Sequence, residues 1–141
     1  CDSIFLKISK MLFSSSVTDI MPHMFRTYTG TAVTNPDTVT GIHPEAFRSS
    51  SIQKVVLSNN IDMIPSRCFD YCVDLRNVVI PVNVDYIAKG AFEDTRALKQ
   101  LTYKGTVEQW KNVFVYKDAF KDSALEEIVC ADGVVKFKRG K

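Results

Sequence analysis

The sequence has few of the residues that enzymes use for chemistry. It contains two histidines, His23 and His43, and it lacks both a Gly-x-Ser-x-Gly nucleophile elbow and a glycine-rich phosphate loop. Glu126 and Glu127 are adjacent on a predicted strand, so we expect them to point to opposite faces and not to work as an acid–base pair. Because catalysis needs a nucleophile, base or metal held in fixed geometry, we predict no enzyme activity, no catalytic residue, no metal site and no cofactor.

Long apolar runs and a strong charge imbalance are absent as well. No run reaches the roughly 18 apolar residues that cross a bilayer. A net charge of +2 gives no electrostatic basis for binding nucleic acid. With 45% hydrophobic and 24% charged residues, residues 1–141 fit one folded domain. A basic tail at residues 136–141 is either a solvated end or a contact for an acidic surface, and its cations are Lys136, Lys138, Arg139 and Lys141.

A phenylalanine recurs along the chain at a nearly constant interval. The successive steps are 22, 22, 23 and 28 residues, and the residues are Phe25, Phe47, Phe69, Phe92 and Phe120. Each follows a β-branched aliphatic residue by five positions; these residues are Ile20, Ile42, Ile64, Ile87 and Val115. Recurrence at this period is typical of stacked repeats, in which each unit buries its apolar side against the next.

Each repeat combines a strand with a segment that holds the phenylalanine. The clearest unit has apolar residues at Leu75, Val78 and Ile80. The last two are two positions apart, a spacing that predicts a short strand with one buried face. The phenylalanine segment starts near a proline and is otherwise polar, which we interpret as one or two turns of helix. The predicted fold is therefore an α/β solenoid with a parallel sheet on one side and short helices on the other.

The repeats are clear over residues 42–135 and degenerate over residues 1–41. A weak first copy consists of Ile8, Met11, Phe13, Val17 and Ile20. The next copy has Gly30 and Asn35 where aliphatic residues are expected, so we expect it to be the softest part of the stack. At the other end, Val134 continues the template as an inward residue and Phe137 takes the place of the next opening aliphatic.

Three stretches carry a resemblance to a known family. They are IPSRCFDYCVDLRNVVIPVNVDYIAKGAF at residues 64–92, YKGTVEQW at residues 103–110 and LEEIVCADGVV at residues 125–135. The sequence resembles the BspA-like class of leucine-rich repeats, strongly over residues 42–135 and weakly before them. The resemblance implies a right-handed, slightly curved solenoid. It also implies secreted or surface-exposed proteins of bacteria, their phages and some protists that are used for attachment, and hence an extracellular or cell-surface location.

The longest step between phenylalanines contains five extra residues, around residues 105–112. We expect the chain to leave the solenoid after Tyr103, to form a short helix and to return at residues 113–115. Trp110, the only tryptophan, either packs this excursion onto the core or stacks on a ligand.

The four cysteines each have a packing reason to exist. Cys68 aligns with the alanines of other repeats, Cys130 aligns with inward strand residues, and Cys72 precedes the strand, so we predict buried, reduced thiols. A disulfide between Cys68 and Cys72 is the alternative, and the redox compartment stays open. The sequence begins at Cys1, which is consistent either with a lipid anchor or with a cut from a longer chain.

The outward face of the predicted sheet carries two columns of side chains. The first column is apolar and largely β-branched: Leu12, Thr34, Val56, Val79, Thr102 and Val129. The second column is polar for the most part: Lys10, Ala32, Lys54, Asn77, Gln100 and Glu127. An apolar stripe that faces water often marks a partner surface, although β-branched residues also favour strands wherever they point. The candidate partner-binding residues are Lys54, Val56, Asn77, Val79, Gln100, Thr102, Glu127 and Val129.

The sequence thus predicts a non-catalytic module that binds a protein ligand or a host-surface component through the exposed strand face. A structural segment of a larger assembly, such as a phage tail or cell-envelope protein, is one alternative. An intracellular scaffold is another. The sequence does not give the ligand or the oligomeric state.

Overall fold

A computed structural model of the chain describes residues 17–138. Several expectations concern residues that lie outside this range. They are the weak copy at Ile8, Met11 and Phe13, the column members Lys10 and Leu12, the lipid anchor at Cys1, and the cations Arg139 and Lys141. Within the described part, the chain winds as a solenoid whose coils stack along one axis.

The longer strand of each coil joins one six-stranded sheet. Its strands are β2 (Ala32–Thr34), β4 (Lys54–Val56), β6 (Asn77–Ile80), β8 (Gln100–Tyr103), β10 (Glu127–Val129) and β11 (Val134–Lys136). The order across the sheet is β2-β4-β6-β8-β10-β11, and neighbouring strands are parallel except for the last pair. The register places equivalent repeat positions opposite each other, so that Val55 pairs with Val78. The predicted parallel sheet and its register are confirmed.

Each coil also has a two-residue strand, which lies on a second side of the solenoid, just before the phenylalanine segment. These strands are β1 (Asp19–Ile20), β3 (Gly41–Ile42), β5 (Met63–Ile64), β7 (Tyr86–Ile87) and β9 (Phe114–Val115). They pair in parallel as β1-β3 and as β5-β7-β9. Their second residue is the β-branched aliphatic of the repeat, which is fully buried at Ile20, Ile64 and Ile87.

The five recurring phenylalanines stack in single file through the solenoid. Successive ring centroids are 4.5, 4.9, 5.0 and 4.9 Å apart, with interplanar angles of 10°, 12°, 11° and 6°. Phe25, Phe47, Phe69 and Phe92 are fully buried. Because each ring covers the face of the next, the phenylalanines form a continuous apolar column that locks coil to coil.

The phenylalanine segments are not helices, so that part of the predicted fold is wrong. They consist of consecutive tight turns, and α1 (Val107–Trp110) is the only helix among residues 17–138. Two residues before the phenylalanine, the backbone is left-handed, with φ of 58°, 66°, 55° and 65° at His23, Glu45, Arg67 and Gly90. A left-handed residue interrupts the right-handed path that an α-helix requires.

Alternate amides in these turns bond to the next coil instead. The N–H groups of Glu45, Phe47 and Ser49 donate to the carbonyls of Ser66, Cys68 and Asp70, at 3.2, 2.9 and 2.9 Å. The intervening amides of residues 46, 48 and 50 donate to the carbonyl three residues earlier in their own turn. A helix would use its amides within its own segment. The turns therefore give the phenylalanine side a hydrogen-bonded ladder between coils.

The predicted excursion after Tyr103 is confirmed. Helix α1 starts after Thr106, which caps it reciprocally with Gln109, and the chain returns to the solenoid at β9. Trp110 is buried and its ring packs edge-on against Tyr103 at a centroid distance of 5.3 Å. The tryptophan thus fixes the excursion to the core. No helix among residues 17–138 is long and apolar enough to span a membrane.

The C-terminal part of the described chain departs from the template. The chain reverses at Cys130–Gly133, and β11 pairs antiparallel with β10 at the edge where a further parallel strand would pair. Val134 is 53% exposed, so the expectation that it points inward is wrong. Phe137 packs edge-on against Phe120 at 5.1 Å and so covers the end of the ring column. Its amide donates to the Glu126 carbonyl at 2.8 Å, so Phe137 does not pair beside Val115 in β9, where the template predicts the next opening residue.

Candidate functional site

The outward apolar column lies in register across the six-stranded sheet. Val56 pairs with Val79, Val79 with Thr102, and Thr102 with Val129. All four side chains are half-buried, and Thr34 at the end of the described column is exposed. Their inward neighbours, such as Val55 and Val78, are fully buried. The alternation that the sequence predicted is therefore present, and it leaves a continuous stripe on the outer surface.

The polar column runs beside this stripe and is connected by hydrogen bonds. Lys54 lies opposite Asn77, and Gln100 lies opposite Glu127. Asn77 Oδ1 accepts a hydrogen bond from the Thr102 hydroxyl at 3.2 Å, and Gln100 Nε2 donates to the Glu127 carboxylate. These bonds tie the two columns together and hold the side chains in defined orientations on a rigid sheet.

Glu127 also receives a contact from the antiparallel strand β11. Lys136 Nζ donates to Glu127 Oε2 at 2.9 Å, so this member of the basic tail belongs to the sheet face. The hydrogen bonds from Lys136 and Gln100 lower the pKa of the Glu127 carboxyl. The same pairing raises the pKa of the Lys136 ammonium. The ion pair closes the C-terminal end of the polar column.

A shallow groove of about 540 Å³ lies at the start of the strands that carry this column. It is lined by Arg76, Ala97, Lys99, Gln100, Glu126 and Glu127. Glu126 and Glu127 both line it, although we expected them on opposite faces. Glu126 precedes β10, so strand alternation does not apply to it. Beyond Gln100 and Glu127 of the polar column, the groove adds the cations Arg76 and Lys99 and the carboxylate of Glu126 to the predicted surface.

A ladder of charged side chains crosses the phenylalanine side, and we did not foresee it from the sequence. Its nitrogen–oxygen distances are 3.0, 3.6, 3.3, 3.5, 3.1 and 3.9 Å for His23–Glu45, Glu45–Arg48, Arg48–Asp70, Asp70–Arg67, Arg67–Glu93 and Glu93–Lys121. The available signal is one template position: the residue directly after the phenylalanine is Arg48, Asp70, Glu93 and Lys121 in successive coils. The charges are opposite at the Arg48–Asp70 and Glu93–Lys121 steps, which stabilises the register between coils. Between them, Arg67 contacts both carboxylates of the like-charged pair Asp70 and Glu93.

Asp70 is the buried member of this ladder, with a side chain only 1% exposed. Burial raises the pKa of its carboxyl above the ordinary 3.8, against the opposing effect of Arg48. A raised folded-state pKa means that folding favours the protonated acid. The stability contributed by this group is therefore full below the unfolded pKa and is lost as the pH rises through the folded pKa.

An Asp70→Asn variant should accordingly gain stability relative to the native chain as the pH rises. The asparagine is uncharged throughout, so only the native chain loses this contribution as the pH rises from the ordinary aspartate pKa of 3.8 through the raised folded-state pKa. Urea unfolding of both proteins across this range measures the difference in the free energy of unfolding. A constant difference would show that folding leaves the pKa of Asp70 unshifted, and a difference that falls with rising pH would show that the arginines outweigh burial.

Comparison with known proteins identifies the family of this chain and a similar solved structure. A family model for BspA-type leucine-rich repeat regions matches residues 4–126 in six copies. The chain belongs to the BspA-type leucine-rich repeat family. Among solved structures, it is similar to the crystal structure of a leucine-rich cell surface protein from Faecalibacterium prausnitzii A2-165, with 25% sequence identity and a TM-score of 0.65. That similarity covers 82% of this chain and 30% of the other, so this chain spans less than a third of that protein's length. No curated protein matches the chain significantly.

The histidines of this BspA-type chain contact carboxylates on the turn side. His23 Nε2 lies 3.0 Å from Glu45 Oε1, and His43 Nε2 lies 3.6 Å from Asp19 Oδ1. Both histidines are half-exposed and belong to different coils. Among residues 17–138, no group of three histidine, cysteine or acidic side chains lies close enough together to hold a metal ion.

The three described cysteines of the BspA-type repeats are buried and free, as predicted. Cys72 Sγ donates to the Phe47 carbonyl of the preceding coil at 2.8 Å. Burial raises the pKa of Cys72 to about 12 and also raises the pKa of the Cys68 thiol. The thiolate is the reactive form of cysteine, and the raised pKa values keep Cys68 and Cys72 protonated. These two thiols are therefore unreactive and serve packing between coils.

Proposed function

We propose that this BspA-type chain is a non-catalytic recognition module that binds a protein ligand through the outward face of the six-stranded sheet. The observation that carries the proposal is the in-register stripe of half-buried side chains on a rigid sheet: Val56, Val79, Thr102 and Val129. Contiguous apolar surface of this kind is a common mark of a partner site.

The surroundings of the stripe support the proposal. Protein interfaces combine an apolar centre with a polar rim. Here the rim is the polar column with its hydrogen bonds from Thr102 to Asn77 and from Gln100 to Glu127, and it continues into the groove beside Arg76. Side chains that are already ordered lose little conformational entropy when a partner binds.

We further propose that the module acts in attachment at a cell surface. The support is the BspA-type family together with the similarity to a leucine-rich cell surface protein. The part shared with this chain is 30% of that protein.

A pair of charges placed in the stripe tests the site. The double variant Val56→Asp and Val79→Asp should abolish attachment of protein-coated beads to cultured epithelial cells, because binding would bury two unpaired carboxylates. Protease treatment of the cells should reduce attachment of the unmodified protein to the same level if the ligand is a protein. Thermal unfolding of the variant verifies that the fold is intact.

The matched control places the same charges elsewhere on the surface. Val73 and Val82 are each 46% exposed and lie outside the strands of the sheet. The double variant Val73→Asp and Val82→Asp should attach as the unmodified chain does. Full attachment by the Val56 and Val79 variant, or equal loss in both variants, would remove the sheet face as the site.

A further inference from the structure

The strand β9 leaves one backbone edge of the β5-β7-β9 sheet open. It is the terminal strand of that sheet, and no strand among residues 17–138 pairs with its outer side. On its inner side, the amides of Phe114 and Tyr116 donate to the carbonyls of Asp85 and Ile87 at 2.9 and 3.0 Å. By the same parallel pattern, a further strand would donate to the carbonyls of Val113 and Val115. Within the described residues, neither carbonyl accepts a hydrogen bond.

A column of large apolar side chains leads up to this edge on the outer surface. Met63, Tyr86 and Phe114 are register partners in β5, β7 and β9. The rings of Tyr86 and Phe114 stack at 5.5 Å with an interplanar angle of 16°. Phe114 is 58% exposed, because no described side chain stacks on its other side. The column therefore ends in a ring with one open face.

The inward side chain of β9, Val115, is also left partly uncovered. Ile64 and Ile87, which hold this repeat position in β5 and β7, are fully buried, whereas Val115 in β9 is half-buried. Ile42 in β3, the last strand of the β1-β3 sheet, is half-buried as well. At the same end of the described chain, Val134 in β11 is also exposed, but the other sheet edge and the ring column are occupied. Strand β11 occupies the edge of β10, and Phe137 lies on Phe120. At β9 an unpaired backbone edge, an exposed ring face and a half-buried aliphatic side chain therefore coincide.

We propose that an extended peptide segment of a partner protein binds here as an additional parallel strand on β9. The residue pairs of the three existing strands define which peptide sequence fits beside β9. Each strand supplies an outward residue that stacks on the column and then an inward β-branched aliphatic: Met63–Ile64, Tyr86–Ile87 and Phe114–Val115. The peptide therefore carries an aromatic or large apolar residue followed directly by isoleucine or valine. Its backbone donates to the carbonyls of Val113 and Val115, which is the mode of strand addition at an exposed sheet edge.

A displayed library of random peptides of about nine residues tests this site against the immobilised chain. Selected peptides should contain the aromatic–aliphatic pair. When they bind, the NMR chemical shifts of the protein's backbone amides should change mainly at residues 113–117. A Phe114→Asp variant should bind them at least about tenfold more weakly, since it removes the open ring face. The matched control is Val79→Asp on the six-stranded sheet, which should bind them unchanged. Far-UV circular dichroism and thermal unfolding verify both variants.

Three outcomes would overturn the proposal. One is a selection in which no peptide depends on Phe114. Another is a set of peptides that lose binding in Val79→Asp and not in Phe114→Asp, which would place recognition on the six-stranded sheet alone. The last is concentration-dependent self-association, seen by analytical ultracentrifugation, that Phe114→Asp abolishes. That result would make β9 a contact between copies of this chain. Failure of this site leaves the test at Val56 and Val79 unaffected, because the two surfaces are probed by different variants.

Discussion

Replacing Phe69 with alanine should reduce the free energy of unfolding by about 3–5 kcal/mol, as for other large buried aromatics. Phe69 is fully buried, and its ring is stacked on both faces, by Phe47 at 4.9 Å and by Phe92 at 5.0 Å. The variant loses the transfer free energy of the ring, leaves a cavity between coils and breaks two ring contacts. Thermal unfolding should show Tm lowered by roughly 10 °C or more.

Phe114 provides the matched control for this prediction. Its ring also stacks on a neighbour, Tyr86, but it lies on the surface. Phe114→Ala should change the free energy of unfolding by no more than about 0.5–1.5 kcal/mol. Similar losses in the two variants, or an unchanged Tm for Phe69→Ala, would show that the ring column does not hold the coils together.

Replacing Asn35 with leucine should stabilise the protein by about 1–3 kcal/mol. Asn35 is 3% exposed, and neither polar atom of its side chain has a hydrogen-bond partner. In the following coils this repeat position holds Leu57 and Ile80, both fully or almost fully buried. Leucine would remove the unsatisfied amide and add buried apolar surface, while the backbone bond from the residue 35 amide to the Val56 carbonyl, 2.8 Å, is kept.

A second substitution at residue 35 tests the same prediction with the reverse expected effect on stability. Asn35→Asp keeps the size of the side chain and adds a buried charge, so it should lower the stability measured by urea unfolding at neutral pH. If Asn35→Leu is less stable than the native chain, the amide contributes to the coil as it stands. The degenerate copy is then not the weak point that the sequence indicates.

The strand side of the fold was predictable because its signal is local and regular. Positions such as Val55 and Val78 alternate with Val56 and Val79, and the 23-residue step between the pairs fixes their register. Burial on one face of a strand follows from a period of two, and stacking follows from the recurrence of the phenylalanine. The same reasoning placed all eight candidate partner-binding residues on the outer surface of one sheet.

The turn side was not predictable in the same way. A left-handed backbone at Glu45 and Arg67 has no signal in residue type, and only Gly90 at the equivalent position hints at it. A proline followed by polar residues and a phenylalanine therefore looks like a short helix. The hydrogen bonds that replace the helix join different coils, so they depend on tertiary stacking that a single segment does not encode.

Two further features of the fold have signals in the sequence. The column of Met63, Tyr86 and Phe114 directly precedes the β-branched aliphatic in each coil, but residues in front of a buried position are usually variable surface residues. The antiparallel return of the chain was indicated by Asp132–Gly133 between apolar residues, which is a hairpin signal. Because Val134 also fits the repeat template, the template predicts an inward position for it despite this signal.

Nuclear Overhauser contacts between phenylalanine rings, in protein labelled selectively at phenylalanine, test the coil-by-coil stacking most directly. Contacts are expected between the rings of successive coils, Phe25 with Phe47, Phe47 with Phe69, Phe69 with Phe92 and Phe92 with Phe120, whose centroids lie 4.5–5.0 Å apart. No contact should join rings that are two coils apart. Missing contacts between successive rings, or contacts that skip a coil, would contradict the solenoid and the surfaces derived from it.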